Sequence, residues 1–221
     1  MEFEIHALSD SSATLYFEQK ICSEINNRAL ATAAWIRENP FEGLIEIVPA
    51  YASVTVFYDV LKIRKNSISG ESAFFIVKKY LSQIPFEKRD ESIKFGSIIE
   101  IPVSYNGEDL GFAIEHLGLT KREIIELHTS PVYSVYMIGF LPGFAYLGGM
   151  NEVLALPRKP KPSLSVAKGS VGIAGLQTGV YPIESPGGWQ IIGHTKQEMF
   201  DLTSPNLSLL KAGDKVKFVS V

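Results

Sequence analysis

The chain has 221 residues, of which 46% are hydrophobic and 20% charged, with a formal net charge of -3 and a pI near 5.9. That composition can bury a real core, and the length suits two domains of about 90 to 130 residues. It lacks the basic excess of a nucleic-acid binder, and apolar runs such as 132–149 are too broken by Gly and Pro for a membrane helix.

The N-terminus, MEFEIHALSD, has neither the basic start nor the apolar stretch of a signal peptide. Residues 3–8 and 13–17 read as two short strands around a Ser-Asp-Ser-Ser turn. Cys22 is the single cysteine, which excludes an internal disulfide and a cysteine-built zinc site, and the cytoplasm is the expected address. A helix follows with Ser23 as candidate N-cap. Ile25, Ala29, Ala33 and Ile36 recur at helical spacing and Pro40 ends it. Residues 44–48 and 53–58 read as a second strand pair. Ser69-Gly70 opens a further helix with Phe74, Val77, Leu81 and Ile84 on one face and Pro85 as its stop. The order β-β-α-β-β-α predicts a small α+β sandwich over residues 1–88, helices on one face of a sheet.

The charged stretch 86–94 is the candidate linker. The second domain, 95–221, begins with a strand signal at 98–105 and two short helices near 109–117 and 121–128. Thr120 and Glu123 fit a capping box for the second helix. Beyond Val132, short apolar runs separated by Gly and Pro predict a closed, mainly β structure.

Several segments in this half carry candidate chemistry. Residues 139–149 combine four glycines and a proline with Phe140, Phe144 and Tyr146, fitting either a pocket wall or subunit interface, or a core loop packing its own rings. Ala167-Lys-Gly-Ser170 is superficially like a phosphate loop but lacks the glycine spacing, so the chain carries no recognisable nucleotide site. Gln177, between Gly175 and Gly179, offers a donor and an acceptor to a substrate amide, or ties down a turn. Trp189 either stacks on a ligand or fills the core. His128, at a helix end, is a general acid or base or a capping residue. His194 is a site or surface residue. No two histidines show a metal-ligand spacing, so no metal site is expected. Arg158, with Lys159 and Lys161, forms a cationic spot suited to a carboxylate, or plain surface charge.

Taken in order, the blocks 125–133, 135–148, 156–158, 169–182 and 185–189 resemble the family of 5-oxoprolinase B subunits, also known as the KipI or allophanate hydrolase subunit 1 family. The match is strong over residues 98–219; the N-terminal half agrees in layout. The resemblance implies a cyclophilin-like β-barrel after a small α/β domain. It also implies a complex with the A and C subunits of 5-oxoprolinase, which uses ATP to open the lactam of 5-oxoproline to glutamate, the chain alone being inactive. Under it, His128 and Gln177 are the catalytic candidates, and Arg158, Phe140, Phe144, Tyr181 and His194 are candidates for binding substrate. The ATP site falls on partners or is shared. Relatives of the same family imply two alternatives: a KipI-type inhibitor of a histidine kinase, or half of a biotin-dependent carboxyltransferase unit. The sequence departs from the family pattern at Ser163, Ser165 and His194, where arginine is frequent, and at Ala167-Lys168, where Pro-Ala is frequent. Lys161, Lys168 and His194 are the candidates to compensate.

Overall fold

A computed structural model describes residues 3–65, 70–85 and 98–221. The chain divides into two compact units, Met1–Lys94 and Phe95–Val221; the expected linker at 86–94 lies outside the described residues.

In the first unit, β1 (Glu4–Ser9), β2 (Ser12–Tyr16), β3 (Leu44–Pro49) and β4 (Ser53–Tyr58) form an antiparallel sheet in the order β1-β2-β4-β3. Strand β4 shows why: Val54, Val56 and Tyr58 are buried, alternating with the half-buried Ser53, Thr55 and Phe57. Helix α1 (Ser23–Glu38) buries Ile25, Ala29, Ala33 and Ile36, and the two alanines are small enough for close approach to the sheet. Its N-cap is Cys22 rather than Ser23, which is already the first helical residue, and no side chain caps it. A six-residue helix not expected from the sequence, α2 (Val60–Lys65), follows β4. Helix α3 (Ala73–Leu81) starts later than expected because Ser72 is its cap, its Oγ accepting from the Phe75 N–H. Val77, Leu81 and Ile84 join the core of this unit.

In the second unit, β5 (Ile98–Val103) leads into α4 (Leu110–Leu117) and α5 (Lys121–Thr129). Gly118, at φ 65°, ends α4, and the Thr120–Glu123 capping box starts α5, both as its sequence dictates. Strands β6 (Tyr133–Ile138), β7 (Ala145–Gly148), β9 (Ser170–Ala174), β10 (Gln177–Val180), β12 (Gln190–His194) and β13 (Lys215–Ser220) complete a seven-stranded sheet. Its order is β12-β9-β10-β7-β6-β13-β5. Only the β13–β5 pair is parallel. The two edges meet where Ser104 N–H donates to His194 O at 2.8 Å and His194 N–H returns to Ser104 O at 2.9 Å. This seam makes the sheet a nearly closed mixed barrel, the α/β-then-barrel order expected from the resemblance. The seam is tight. A Cβ on Gly107 would stand 2.3 Å from Ile191 O, and one on Gly193 2.7 Å from Ser104 O. Inside lie Ile101, Val103, Leu147, Ile173, Val216 and Phe218. A ribbon of β8 (Ser163–Val166) and β11 (Ser185–Gly187) stands apart from the barrel sheet. Among the described residues no helix is long and apolar enough to cross a membrane.

Candidate active site on the outer barrel face

Alternation along the barrel strands divides the candidate residues between two faces. On β9, Val171 and Ile173 point into the core, so Ser170, Gly172 and Ala174 point outward. On β10, Thr178 and Val180 point inward, so Gln177 and Gly179 point outward, and Tyr181 continues that row. Gly172 and Gly179 are opposite each other and leave a floor with no side chains. A Cβ on Gly179 would lie 3.1 Å from the Phe144 ring and 3.3 Å from the Trp189 ring; one on Gly172 would lie 3.0 Å from Trp189 Cβ. The glycines are there because aromatic rings occupy that space.

On this floor Phe144 is the hub. Its ring meets Tyr146 (4.9 Å), Tyr181 (5.3 Å), Trp189 (5.3 Å) and Phe140 (5.5 Å), mostly edge to face. With Val166, Ala174 and Ile191 these rings form a second small core outside the barrel. Phe140 differs from the others: it is 61% exposed and sits at φ 71°. An aromatic residue in the left-handed region is strained, and such strain concentrates at functional sites. The tight loop that imposes it is closed by Leu141 N–H to Gly139 O (2.9 Å) and Phe144 N–H to Leu141 O (3.0 Å).

Arg158 extends from a pinned segment. Pro157 O accepts from Gln190 Nε2 at 3.0 Å, and Lys159 N–H donates to Gly188 O at 2.8 Å. The guanidinium is exposed and acts electrostatically on both the Tyr146 and Tyr181 phenols. Burial raises both phenols above their usual range and Arg158 opposes that; at Tyr181 the Trp189 backbone N–H opposes it too. Both hydroxyls are therefore protonated donors at neutral pH, beside a permanent cation. That combination suits an anionic oxygen, above all a carboxylate. Among the described residues Arg158 has no ion-pair partner, whereas Lys159 is committed to Asp109 at 2.6 Å.

His194 belongs to the same face, its Nδ1 3.4 Å from Ser170 Oγ and its Nε2 3.5 Å from Glu108. Lys168 is engaged by Glu198, and Ser163 and Ser165 are engaged by Lys159 and Glu184. Phe140, Phe144, Tyr181, Arg158, Gln177 and His194 thus share one outer face. Gln177 and Tyr181 are four residues apart along a strand, about 13 Å, so the face has an amide end and an aromatic–cationic end.

His128 is not on that face. Helix α5 places it at 0% exposure inside the barrel, stacked 4.5 Å from Phe218, with Nδ1 2.7 Å from Tyr105 Oη and Nε2 2.9 Å from Thr178 Oγ1. Strand β10 separates it from Gln177. Burial pushes the imidazole pKa down to about 3, so the ring is neutral. The 167–170 turn is no phosphate cradle either. Gly169 N–H donates to Tyr181 O and Ser170 N–H to Ala167 O, and a Cβ on Gly169 would stand 2.2 Å from Thr195 O. Residues there do not fit a nucleotide. Tyr146 and Trp189 belong to the aromatic cluster beside the candidates chosen from sequence; the local signal was the aromatic spacing in 140–146.

Residues 3–210 match the family described as carboxyltransferase domain, subdomain C and D. The chain is 44% identical over 225 residues to the 5-oxoprolinase B subunit of Bacillus subtilis, covering 100% of this chain and 94% of that one. It is 42% identical over 181 residues to the protein of the same name from Haemophilus influenzae, covering 80% of each. Among solved structures, TTHA0988 superposes with a TM-score of 0.83 at 36% identity over 95% of this chain, which spans 40% of that longer polypeptide. A family match over residues 3–210, a sequence match along the whole chain and a shared fold converge on one assignment: the chain belongs to the family of 5-oxoprolinase B subunits.

Proposed function

We propose that the chain is the B subunit of a cytoplasmic, ATP-dependent 5-oxoprolinase that hydrolyses 5-oxo-L-proline to L-glutamate together with the A and C subunits. The observation that carries this reading is the 44% full-length identity to a 5-oxoprolinase B subunit. The reaction adds water to the lactam carbonyl and breaks its C–N bond, leaving the amine and the new carboxylate of glutamate. A lactam is a poor electrophile, and ATP supplies the driving force by phosphorylation. The nucleotide site belongs to the partners or is shared with them, in keeping with the occupied amides of the 167–170 turn.

Within that scheme the outer face binds and orients. Arg158 attracts the substrate carboxylate and the exposed Phe140 walls the apolar ring, both backed by the buried Phe144 and Tyr181; His194 adds polarity at the margin, and Gln177 offers an amide at the far end of the same face, about 13 Å along the strand. His128 supports the site from the inner face as an orienting residue. Phe140, held exposed, is positioned to be covered by a partner protein of the complex.

The test is reconstitution. The purified chain alone is expected to be inactive, and the chain co-expressed with its A and C partners is expected to release glutamate and phosphate from 5-oxoproline and ATP. An assembled three-subunit complex with no turnover would overturn the reading.

A further inference from the structure

We infer that His128 is a fixed, neutral Nε2–H tautomer that acts as a positioning residue, tying the barrel interior to the strand that carries Gln177. The assignment follows from proton counting. Thr178 Oγ1 lies 3.0 Å from Gly172 O, which can only accept, so the threonine proton goes there. Thr178 Oγ1 must then accept at its contact with His128, which places a proton on Nε2. Nδ1 is left bare and accepts from the Tyr105 hydroxyl. Each proton points the same way: Tyr105 to His128 to Thr178 to the Gly172 carbonyl. Chains of this kind polarise one another.

The alternatives fail locally. With the proton on Nδ1, the Tyr105 proton has no acceptor among the described residues. The Thr178 proton must then leave Gly172 for Nε2, so the buried Thr178–Gly172 contact loses its hydrogen as well. The doubly protonated ring strands the Tyr105 proton too, and buries a charge. The groups facing the ring from the elements around it are Tyr105, Tyr133, Thr178 and Phe218; among the described residues none is charged. Tyr133 Oη donates to His128 O at 2.8 Å and fixes the backbone of the same residue.

The chain of bonds ends beneath the candidate face. Gly172 is half of its glycine floor, and Thr178 is the neighbour of both Gln177 and Gly179. Holding Thr178 from inside fixes which way β10 presents Gln177 outside. This role rests on the proposed function only where turnover is the readout.

The test uses the full chain labelled with 15N. Long-range 1H–15N spectra, with His128 assigned by its loss in His128→Gln, are expected to show a bare Nδ1 and a protonated Nε2, unchanged between about pH 5 and 8. An Nδ1–H pattern, or a titration midpoint in that range, would overturn the tautomer. In the same spectra Thr178→Val is expected to move the Gln177 side-chain amide resonance and Thr178→Ser to restore it; an unmoved amide in Thr178→Val would overturn the positioning role. In the reconstituted complex Thr178→Val is expected to lower kcat/KM about tenfold or more, with recovery in Thr178→Ser. A complex with no turnover at all would count against the proposed function alone, since the spectra are recorded on this chain by itself.

Discussion

His128 has a consequence for stability that can be measured without any substrate. Its folded pKa is depressed to about 3 by burial, while an unfolded histidine titrates near 6.5. Between those values the unfolded chain binds a proton that the folded chain refuses. Its contribution is therefore complete above about pH 6.5 and is lost as pH falls, at up to about 1.4 kcal/mol per pH unit. Denaturation midpoints recorded from neutral to acidic pH should show that slope, and His128→Gln, which keeps a donor and an acceptor but does not titrate, should flatten it. Arg158 makes the opposite kind of prediction, visible in binding and not in stability. Arg158→Ala in the reconstituted complex should raise KM about tenfold or more, and Arg158→Lys should recover part of that, because the ammonium keeps the charge but not the two-pronged geometry. Both residues stood out from the sequence by chemical type. Their sides of the sheet did not, because side-chain period 2 places neighbours such as Gln177 and Thr178 on opposite faces, and only the pairing with β9 decides which face is which.

At the scale of elements, the barrel depends on a seam made by backbone bonds and one carboxylate, that of Asp109. Residues 104–109 run along β12, with Asp109 N–H donating to Ile191 O at 2.9 Å and Ile191 N–H to Asp109 Oδ2 at 2.8 Å. Gly107→Ala puts a methyl 2.3 Å from a main-chain oxygen that cannot rotate away. The strands must part, at a cost of about 3 kcal/mol or more. Gly111→Ala, where nothing lies within 4 Å, is the control; in the first turn of α4 it should be neutral or stabilising by up to about 1 kcal/mol. Chemical denaturation of the two variants checks the contrast. Local sequence carries the elements but not the seam. The faces of α1 and α3, the capping box of α5 and the alternation of β4 follow from spacings within one element, and the structure repeats them except that Ile84 lies beyond the end of α3 at Leu81. Barrel closure joins residues nearly ninety positions apart, and nothing near Gly107 signals Gly193. The start of α3 has a local reason: Ser72 Oγ accepts from an N–H of its first turn, while the expected opening residue Ser69 lies outside the described residues.

At the scale of the whole chain, the two units keep separate cores. One gathers Leu15, Ile25, Val54 and Leu81, the other Ile101, Leu147, Ile173 and Phe218, and among the described residues none is shared between them. Cooperativity follows shared packing, so two cores allow two transitions where a single core allows one. The chain carries its own reporters: it has two tryptophans, one in each unit. Trp35 lies 5.6 Å from Tyr80 in the first, and Trp189 lies 5.3 Å from Phe144 in the second. Trp189→Phe leaves a probe of the first unit, and Trp35→Phe leaves a probe of the second. In guanidinium the two single-tryptophan chains should give different midpoints. Adding Gly107→Ala should lower the midpoint reported by Trp189 and leave the one reported by Trp35 in place. Coincident midpoints that move together would mean that the chain unfolds as one cooperative body, and that damage at the barrel seam is felt equally in the N-terminal sheet.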